Sequence, residues 1–497
     1  MRIAMFTPLP PARTGVAHYA SMLLPALSAR AAVRAFASAE EYYPEEYDGV
    51  VYQLGNNPFH ELAYAEAMRR PGVAVLHDLV LHHLIVEMTL ARGNADAYVA
   101  ALEANHGQAG AAWARGRAAG LHSEMGNFLF PASISVANRS RAVIVHNRWA
   151  ADKLRSFGVE TPIHLVPHPF EQRRRPVDRE AIRARLGFAP GHRVIGLFGF
   201  LTSAKRGEVV VEAFRIARTR EASLRLLIAG EPAPNIDMSK IAGDGVVITG
   251  YAADADFDGY YAAADRFVNL RYPSAGETSG TLIRALAAGK PVAVSDYAQF
   301  AELPDDVVVK IPFDDEVERL ADFLADEVRD PAPAQQQWLE ENARPDKTVR
   351  GYLDALSGAT PTRRPSSPVE NAAEVGGAPL SRQVGGDPLA IFPALSIAHV
   401  AKEGSALLLT LRNDGRDVVR ARSWGQPAYR ALVKVFDGAE EIQDHWMALP
   451  GDVAPGHSVQ LTLPLYRDVS DLSLRLHHAL EGVPIVDSSP AESVRVR

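Results

Sequence analysis

Cysteine is absent from the 497 residues of this chain, and its absence limits the chemistry available to the protein. Without thiols there is no disulfide scaffold and no thiolate ligand for a metal. The chain also lacks a window of about eighteen uncharged apolar residues, so the sequence predicts no membrane-spanning helix. Its first residues, MRIAMFTPLPP, form an apolar run broken by prolines, which is a poor signal peptide. These absences predict a cytoplasmic protein.

An excess of positive charge is lacking as well. Lys and Arg number 52 against 60 Asp and Glu, which gives a formal net charge of −8. A protein dedicated to nucleic acids needs a basic face that displaces counterions from phosphates, so no nucleic-acid partner is expected. Hydrophobic residues make up 47% and charged residues 23%, as in ordinary globular proteins. A chain of 497 residues exceeds what one core organises, which predicts two or three domains.

The first part of the chain alternates short apolar runs with helical patterns, which predicts an α/β domain with a doubly wound sheet over residues 1–170. The expected strands are residues 2–6, 33–37, 50–54, 73–76, 142–145 and 163–166. Residues 88–140 show helical spacing and predict a helical insertion. The loop after the first strand contains Gly15 and precedes a helix expected near Val16. It has no GxGxxG pattern, which argues against a dinucleotide site.

A second doubly wound domain is expected over residues 171–357, with strands at residues 194–198, 224–229, 246–249, 267–270, 292–294 and 307–309. Arg173, Arg174 and Arg175 indicate a polar hinge before it. Residues 335–356 predict a terminal helix. Residues 358–388 are dense in Pro, Gly, Ser and Ala and predict a linker. Residues 389–497 alternate apolar and polar positions, which predicts a small all-β accessory domain with a sandwich-like fold.

Polar side chains follow two strands of the first domain. Asn56 and Asn57 come after the third strand, and His77 and Asp78 come after the fourth. Ligands of open α/β sheets bind at the carboxyl ends of the strands. We therefore expect these residues to face a cleft.

Two groups of residues resemble metal ligands. In the first, His82 and His83 follow His77 and Asp78 closely in the sequence. His82 and His83 are themselves adjacent, and adjacent residues of a helix point to different faces. The second group consists of three alternating carboxylates, Asp254, Asp256 and Asp258. They precede a helical run, where the helix dipole favours negative charge in the first turn. Neither group predicts a metal site, and no cofactor is expected.

The most informative stretch is residues 270–296, LRYPSAGETSGTLIRALAAGKPVAVSD, which predicts a strand, a loop, a helix and a strand. Thr278 and Ser279 are candidate helix N-caps. Glu277 is thereby placed at the carboxyl end of a strand and the amino end of a helix, where anions are favoured. Gly276 and Gly280 would let a phosphate approach the backbone. An ordinary βαβ crossover whose loop happens to contain a Glu is the alternative.

This stretch resembles the donor-binding segment of retaining GT-B-fold glycosyltransferases of family 4 (glycosyl transferases group 1). Five residues match the family pattern: Glu277, Gly280, Gly289, Pro291 and Val292. The resemblance extends over residues 1–357 and implies two Rossmann-like domains around a cleft. One position departs from the pattern, because Arg284 stands where the family has a second Glu.

The resemblance also implies roles for individual residues. Glu277 would bind hydroxyls of the donor sugar, and His77 would lie beside the transferred sugar. Asn56, Asn57 and Asp78 would lie on the acceptor side. Gly15 would approach the donor diphosphate, which Lys205 and Arg206 of the segment GFLTSAKRGEVVVEAF would hold. Fixed cations beside a helix amino terminus stabilise the charge that a leaving nucleoside diphosphate gathers.

The implied activity is a retaining, metal-independent transfer of a sugar from a nucleotide-sugar to a glycan or lipid-linked acceptor, in polysaccharide or glycoconjugate biosynthesis. A lipid-linked acceptor would bring the protein to the inner face of the membrane. The alternative is a GT-B-shaped sugar- or nucleotide-binding protein without catalysis, which the missing second Glu favours. For Arg284 we expect the side chain to reach back to Glu277 or to a phosphate; the other outcome is an outward side chain in solvent.

Overall fold

The structure is a computed structural model. It describes residues 1–38, 42–121, 124–170, 177–252, 254–358, 395–403, 406–414, 429–449, 453–454, 456–465, 469, 471–480 and 492–495. The polar hinge at Arg173–Arg175 and the linker beyond Gly358 therefore lie outside the described residues. One compact unit contains residues 1–79, 139–152 and 161–358 and holds both parallel sheets. A second unit contains residues 80–138, 153–160 and the described residues from 395 onward.

The first sheet is parallel and has six strands in the order β2-β1-β3-β4-β5-β6. Its strands are β1 (Arg2–Phe6), β2 (Ala32–Phe36), β3 (Gly49–Leu54), β4 (Val73–Leu76), β5 (Ala142–Val145) and β6 (Ile163–Leu165). Each lies at or within a residue of its predicted place. β1 pairs with β2 from Arg2 against Ala32, and with β3 from Ile3 against Gly49. The doubly wound order brings the carboxyl ends of β3 and β4 next to each other.

The described part of residues 1–170 contains seven α-helices: α1 (Gly15–Ser28), α2 (Glu61–Arg69), α3 (His82–Met88), α4 (Ala95–Ala118), α5 (Glu124–Leu129), α6 (Ile134–Arg139) and α7 (Arg148–Ser156). The helical insertion predicted for residues 88–140 is confirmed by α4, α5 and α6. Its longest helix, α4, has a kink at Gly107, whose φ of 62° is a conformation that glycine adopts without strain.

The second sheet is also parallel, with six strands in the order β12-β11-β10-β7-β8-β9. They are β7 (Arg193–Phe198), β8 (Leu224–Ala229), β9 (Val246–Gly250), β10 (Arg266–Asn269), β11 (Val292–Ser295) and β12 (Val309–Ile311). The prediction of a strand at residues 307–309 is wrong by two residues. Val307 and Val308 are buried in the core, but their amides bond to the carbonyl of Pro304 in a turn. Val307 and Val308 are apolar because they are buried, and a short apolar run has the same sequence pattern as a buried strand.

The helices of this half are α8 (Arg179–Arg185), α9 (Gly207–Arg220), α10 (Met238–Ile241), α11 (Asp254–Ala263), α12 (Gly280–Ala287), α13 (Glu316–Ala325), α14 (Ala332–Asn342) and α15 (Pro345–Leu356). The run predicted at residues 335–356 is divided, because Pro345 begins a new helix at a position where its missing amide hydrogen is tolerated. α15 returns to the first domain. Tyr352 is buried there, with its hydroxyl 2.8 Å from that of Tyr19.

The C-terminal part is all-β, as predicted. One antiparallel sheet has the order β13-β14-β17 and another has the order β16-β15-β18-β19. The strands are β13 (Leu395–Glu403), β14 (Ala406–Asn413), β15 (Tyr429–Asp437), β16 (Glu440–Ala448), β17 (Ser458–Pro464), β18 (Leu472–Leu480) and β19 (Glu492–Arg495). Leu407, Leu409 and Leu411 alternate inward and share one core with Val433 and Leu474 of the other sheet. This is the packing of a sandwich.

Within the described residues, no helix has the length and apolar character needed to cross a membrane.

Candidate functional site

The loop between β10 and α12 carries Glu277 to the carboxyl edge of the second sheet. Ser279 is the N-cap of α12, as predicted, and its Oγ accepts a hydrogen bond of 3.2 Å from the amide of Leu282. Gly280 is the exposed first residue of the helix, and Thr278 is half-buried before the cap. Gly276 has a φ of 77°, which favours glycine. The predicted arrangement of a Glu between a strand and a helix is confirmed.

Hydrogen bonds from its own loop hold the Glu277 carboxylate. Arg271 Nε donates to Oε1 at 2.9 Å, and the amide of Ala275 donates to Oε2 at 3.1 Å. Ser274 Oγ lies 3.4 Å from Oε2, and Gln299 Nε2 donates to the Glu277 carbonyl at 2.8 Å. Arg271 is not among the site residues predicted from the sequence. The signal was present, because an Arg directly after a buried strand needs a partner for its charge.

Lys205 is buried close to this pair of charges. Its Nζ donates to the carbonyl of Phe198 at 2.6 Å. Burial lowers the pKa of Lys205 well below its ordinary value, Arg271 lowers it further, and Glu277 opposes the shift. Gly199 has a φ of 89°, which favours glycine, and a Cβ there would lie 2.5 Å from Nζ, so the Lys205 side chain would have to shift. The site thus holds a buried amine at the amino end of α9, with Arg271 as a neighbouring cation.

Arg206 follows Lys205 but faces another partner. Its guanidinium forms an ion pair with Glu316, the first residue of α13. The rings of Tyr272 and Phe313 each lie 5.8 Å from its Cζ. The adjacent cations therefore diverge, with Lys205 near Glu277 and Arg206 joined to α13. The role of Arg206 in donor binding stays a prediction.

His77 lies at the carboxyl end of β4 in a buried hydrogen-bonded chain. Its Nε2 is 2.5 Å from Oε1 of Gln53, while Gln53 Nε2 donates to the hydroxyl of Tyr352 at 3.0 Å. Gln53 Oε1 can only accept, so His77 Nε2 carries the proton. Burial lowers the pKa of His77 well below its ordinary value, and His146 lowers it further. The imidazole is neutral, with its lone pair on Nδ1.

Asp78 is the acidic neighbour of His77. Burial, followed by the negative charge of Glu277, raises the pKa of Asp78 to about 7. The amide of Asn56 donates to its Oδ2 at 2.8 Å. Asn57 caps a short 3-10 helix, because its Oδ1 accepts a hydrogen bond of 3.1 Å from the amide of Phe59. Asp78 and Glu277, predicted from separate domains, thus lie within electrostatic reach of each other.

Gly15 begins α1 after the Thr14 N-cap. It does not have a positive φ, and a Cβ placed on it would meet no atom within 4 Å. Local backbone conformation therefore does not require glycine here. Open space at this position fits the predicted approach of a ligand.

The expected contact of Arg284 with Glu277 is wrong. Arg284 NH2 lies 2.8 Å from Nε2 of His18 on α1, and its Cζ lies 5.5 Å from the centre of the Phe257 ring. Glu277 is paired with Arg271 instead, which leaves Arg284 one turn further along α12 to reach the first domain. The contact with a phosphate stays a prediction.

The described residues contain no cluster of three or more His, Cys, Asp or Glu that could hold a metal ion. His82 contacts the hydroxyl of Tyr98 at 2.6 Å and the carbonyl of Phe130 at 2.5 Å, and His83 lies 3.7 Å from Glu87. The carboxylate run begins α11, as expected, and Asp256 pairs with Arg185 at 3.1 Å.

Comparison with known proteins gives a match for the second parallel-sheet domain. Residues 192–330 match the family model of glycosyl transferases group 1. Alpha-monoglucosyldiacylglycerol synthase of Streptococcus pneumoniae is 27% identical over 166 residues, which is 30% of this chain and 36% of that protein. The chain thus matches only about a third of this relative's length. The resemblance drawn from residues 270–296 is confirmed within the range of the family model.

Two solved structures are similar at low identity. HepE from Anabaena in complex with UDP-glucose is 16% identical with a TM-score of 0.49, and the match covers 72% of this chain and 99% of that one. WaaG, a glycosyltransferase involved in lipopolysaccharide biosynthesis, is 14% identical with a TM-score of 0.47, over 72% of this chain and all of that one (100%).

Proposed function

We propose that this protein transfers a sugar, with retention of configuration and without a metal, from a nucleotide-sugar donor to a glycan or lipid-linked acceptor. Polysaccharide or glycoconjugate biosynthesis is the proposed setting, in the cytoplasm or at the inner face of the membrane. The observation that carries the proposal is the Glu277 carboxylate, which Arg271 holds at a helix amino terminus beside the buried Lys205. The family match over residues 192–330 supports it.

The donor diphosphate is assigned to the amino ends of α9 and α12. Free amides at a helix amino terminus and the helix dipole favour an anion. Burial favours the neutral amine of Lys205, and a phosphate in contact with it would favour the charged ammonium, which would then bind the phosphate. As the glycosidic bond breaks, negative charge moves onto the leaving diphosphate, and these groups stabilise it without rearrangement.

The transferred sugar is assigned to the space between Glu277 and His77. A carboxylate accepts hydrogen bonds from sugar hydroxyls, and the hydrogen bonds from Arg271 and Ala275 keep Glu277 oriented for that purpose. The Nε2–H of His77 donates a hydrogen bond to Gln53, so its Nδ1 can accept one from a further hydroxyl. The acceptor is assigned to the side of Asn56 and Asp78, and a carboxyl with a pKa of about 7 exchanges a proton easily near neutral pH.

A sugar- or nucleotide-binding protein without catalysis is the second candidate. It is favoured by Arg284, which stands in place of the family's second Glu. An Arg cannot accept hydrogen bonds from donor hydroxyls, and Arg284 contacts His18. Both candidates predict that the protein binds a nucleotide-sugar, but only the transferase turns it over.

The test is a thermal-shift screen with UDP-, GDP- and ADP-glucose, followed by measurement of nucleoside diphosphate release with and without sugar acceptors. A donor at 100 times its Kd should stabilise the protein by about 2.7 kcal/mol. Lys205→Met should weaken binding about 10- to 100-fold, the worth of a charge-assisted hydrogen bond. Lys240→Met is the matched control, because Lys240 pairs with Glu208 on an exposed surface.

Stabilisation and release of the diphosphate by the parent, both reduced in Lys205→Met but unchanged in Lys240→Met, would support the transferase. Stabilisation without release under any condition would favour the binding protein. The absence of stabilisation by every nucleotide-sugar would overturn both candidates.

A further inference from the structure

The Glu277 loop is held by the first parallel-sheet domain as well as by its own. The amide of Leu79 donates to the carbonyl of Ala275 at 2.6 Å. Asn147, the residue before α7, donates through Nδ2 to the carbonyl of Gly276 at 2.8 Å. A Cβ at Gly276 would lie 2.9 Å from both Leu79 Cβ and the Trp149 ring. The residue next to Glu277 therefore packs directly against the opposite domain.

The start of α7 is in turn held by a carboxylate of the second domain. Glu302 Oε2 accepts from the amide of Arg148 at 3.1 Å, and Oε1 accepts from the amide of Trp149. These are amides of the first turn, which have no partner within the helix. A carboxylate at this position also interacts favourably with the helix dipole. Asn147 supplies the local cap, since its Oδ1 accepts from the amide of Ala150 at 2.8 Å.

The turn that contains Glu302 also holds Glu277 from within the second domain. Gln299 lies three residues earlier and donates to the Glu277 carbonyl at 2.8 Å. Ser274 Oγ donates to Gln299 Oε1 at 2.7 Å. One short segment, residues 299–302, thus supports the loop directly and also binds the helix of the first domain that presses on Gly276.

We propose that Glu302 is a positioning residue that caps α7 across the two domains, seats Asn147 and Trp149 against Gly276, and thereby sets the orientation of Glu277. We call these three residues the α7 clasp: Asn147, Trp149 and Glu302. The proposal rests on the proposed function, because it assigns to the clasp the geometry of the donor-binding carboxylate. A misplacement of about 1 Å at a reacting centre costs about 100-fold in rate, so a remote contact can control turnover.

The competing explanation is that Glu302 only stabilises a helix. Removing an ordinary N-cap leaves the active geometry unchanged, so the matched control is the N-cap of another helix. Asp178 caps α8, and its Oδ1 accepts from the amide of Ala181 at 3.0 Å. Its helix belongs to the second domain and is remote in sequence from the Glu277 loop.

The test compares Glu302→Ala, Glu302→Gln, Asn147→Ala and Asp178→Ala in the full chain. We expect Glu302→Ala and Asn147→Ala to lower kcat about 10- to 100-fold, with the donor KM changed far less. Glu302→Gln should recover part of the loss, because its amide oxygen can accept from one of the two amides. Asp178→Ala should match the parent in kcat.

Hydrogen exchange of residues 274–280, measured without substrate, provides a second readout. The clasp predicts faster exchange of this loop in Glu302→Ala and Asn147→Ala, and parent-like exchange in Asp178→Ala. Unchanged loop exchange, or a kcat of Glu302→Ala equal to that of the control, would overturn the proposal. If the parent itself turns over no donor, the proposed function fails, and the exchange measurement still decides whether Glu302 positions the loop.

Discussion

Arg271 and Glu277 form an ion pair six residues apart in one loop, with Nε of the first 2.9 Å from Oε1 of the second. The Arg271 side chain is only 10% exposed and that of Glu277 is 22% exposed. Such a pair in a loop leaves the carboxylate one orientation relative to the backbone. It also keeps a negative charge in place beside a site assigned to an anionic donor.

The pair predicts a strong coupling between its members. Arg271→Ala should destabilise the protein by about 3 kcal/mol, because it leaves a partly buried carboxylate without its cation. In the double variant with Glu277→Ala, the loss should be smaller than the sum of the single losses by about 1 to 3 kcal/mol. Urea unfolding of the four proteins measures this coupling. Additive losses would show that the ion pair contributes nothing.

His77 is expected to act on turnover rather than on donor affinity. His77→Ala should lower kcat about 10- to 100-fold, while the donor Kd measured by calorimetry changes far less. Because the pKa of His77 lies well below its ordinary value, the pH profile of kcat should show no ionisation of His77 near pH 6.5. Activity per folded molecule that is intact in His77→Ala, with a lower Tm, would make the residue structural.

Asp78 predicts a pH-dependent stability. Its pKa is about 7 in the folded protein against an ordinary value of 3.8, so the folded protein keeps a proton that the unfolded chain releases. The stability of the parent relative to Asp78→Asn should therefore fall as the pH rises from about 4 to about 7, and then level off. The total change should be on the order of 2 to 4 kcal/mol.

The Asn side chain keeps an oxygen for the amide of Asn56, so this comparison isolates the charge. Urea unfolding at several pH values measures it. A difference between Asp78→Asn and the parent that does not vary with pH would place the ionisation of Asp78 outside this window.

Arg284 is expected to contact the donor phosphate. Arg284→Ala should then weaken donor binding about 10-fold or more, and Arg284→Glu should weaken it further because the charge is reversed. Binding that recovers in Arg284→Glu relative to Arg284→Ala would instead indicate a contact with donor hydroxyls. Titration of both variants with nucleotide-sugars measures this. If both bind like the parent, Arg284 lies outside the site.

The sequence by itself determined the architecture. The short apolar runs and the helical spacing between them predicted all six strands of the first sheet and the β10-loop-α12-β11 unit around Glu277. Period and caps are local properties, so the N-cap at Ser279 could be predicted from its neighbours alone. A buried turn and a buried strand can both be apolar, as at Val307 and Val308, and there the predicted strand began two residues too early.

Only the tertiary structure decided the partners of the charged side chains. The pattern placed Lys205 and Arg206 side by side, yet Lys205 lies within electrostatic reach of Glu277 and Arg206 binds Glu316, 110 residues away. Arg284 was expected near Glu277 but contacts His18, and the contacts of Glu302 with α7 had no signal in the sequence. A long side chain can reach several partners, and the one it contacts depends on which distant elements the fold brings together. Local residue spacing does not contain that information.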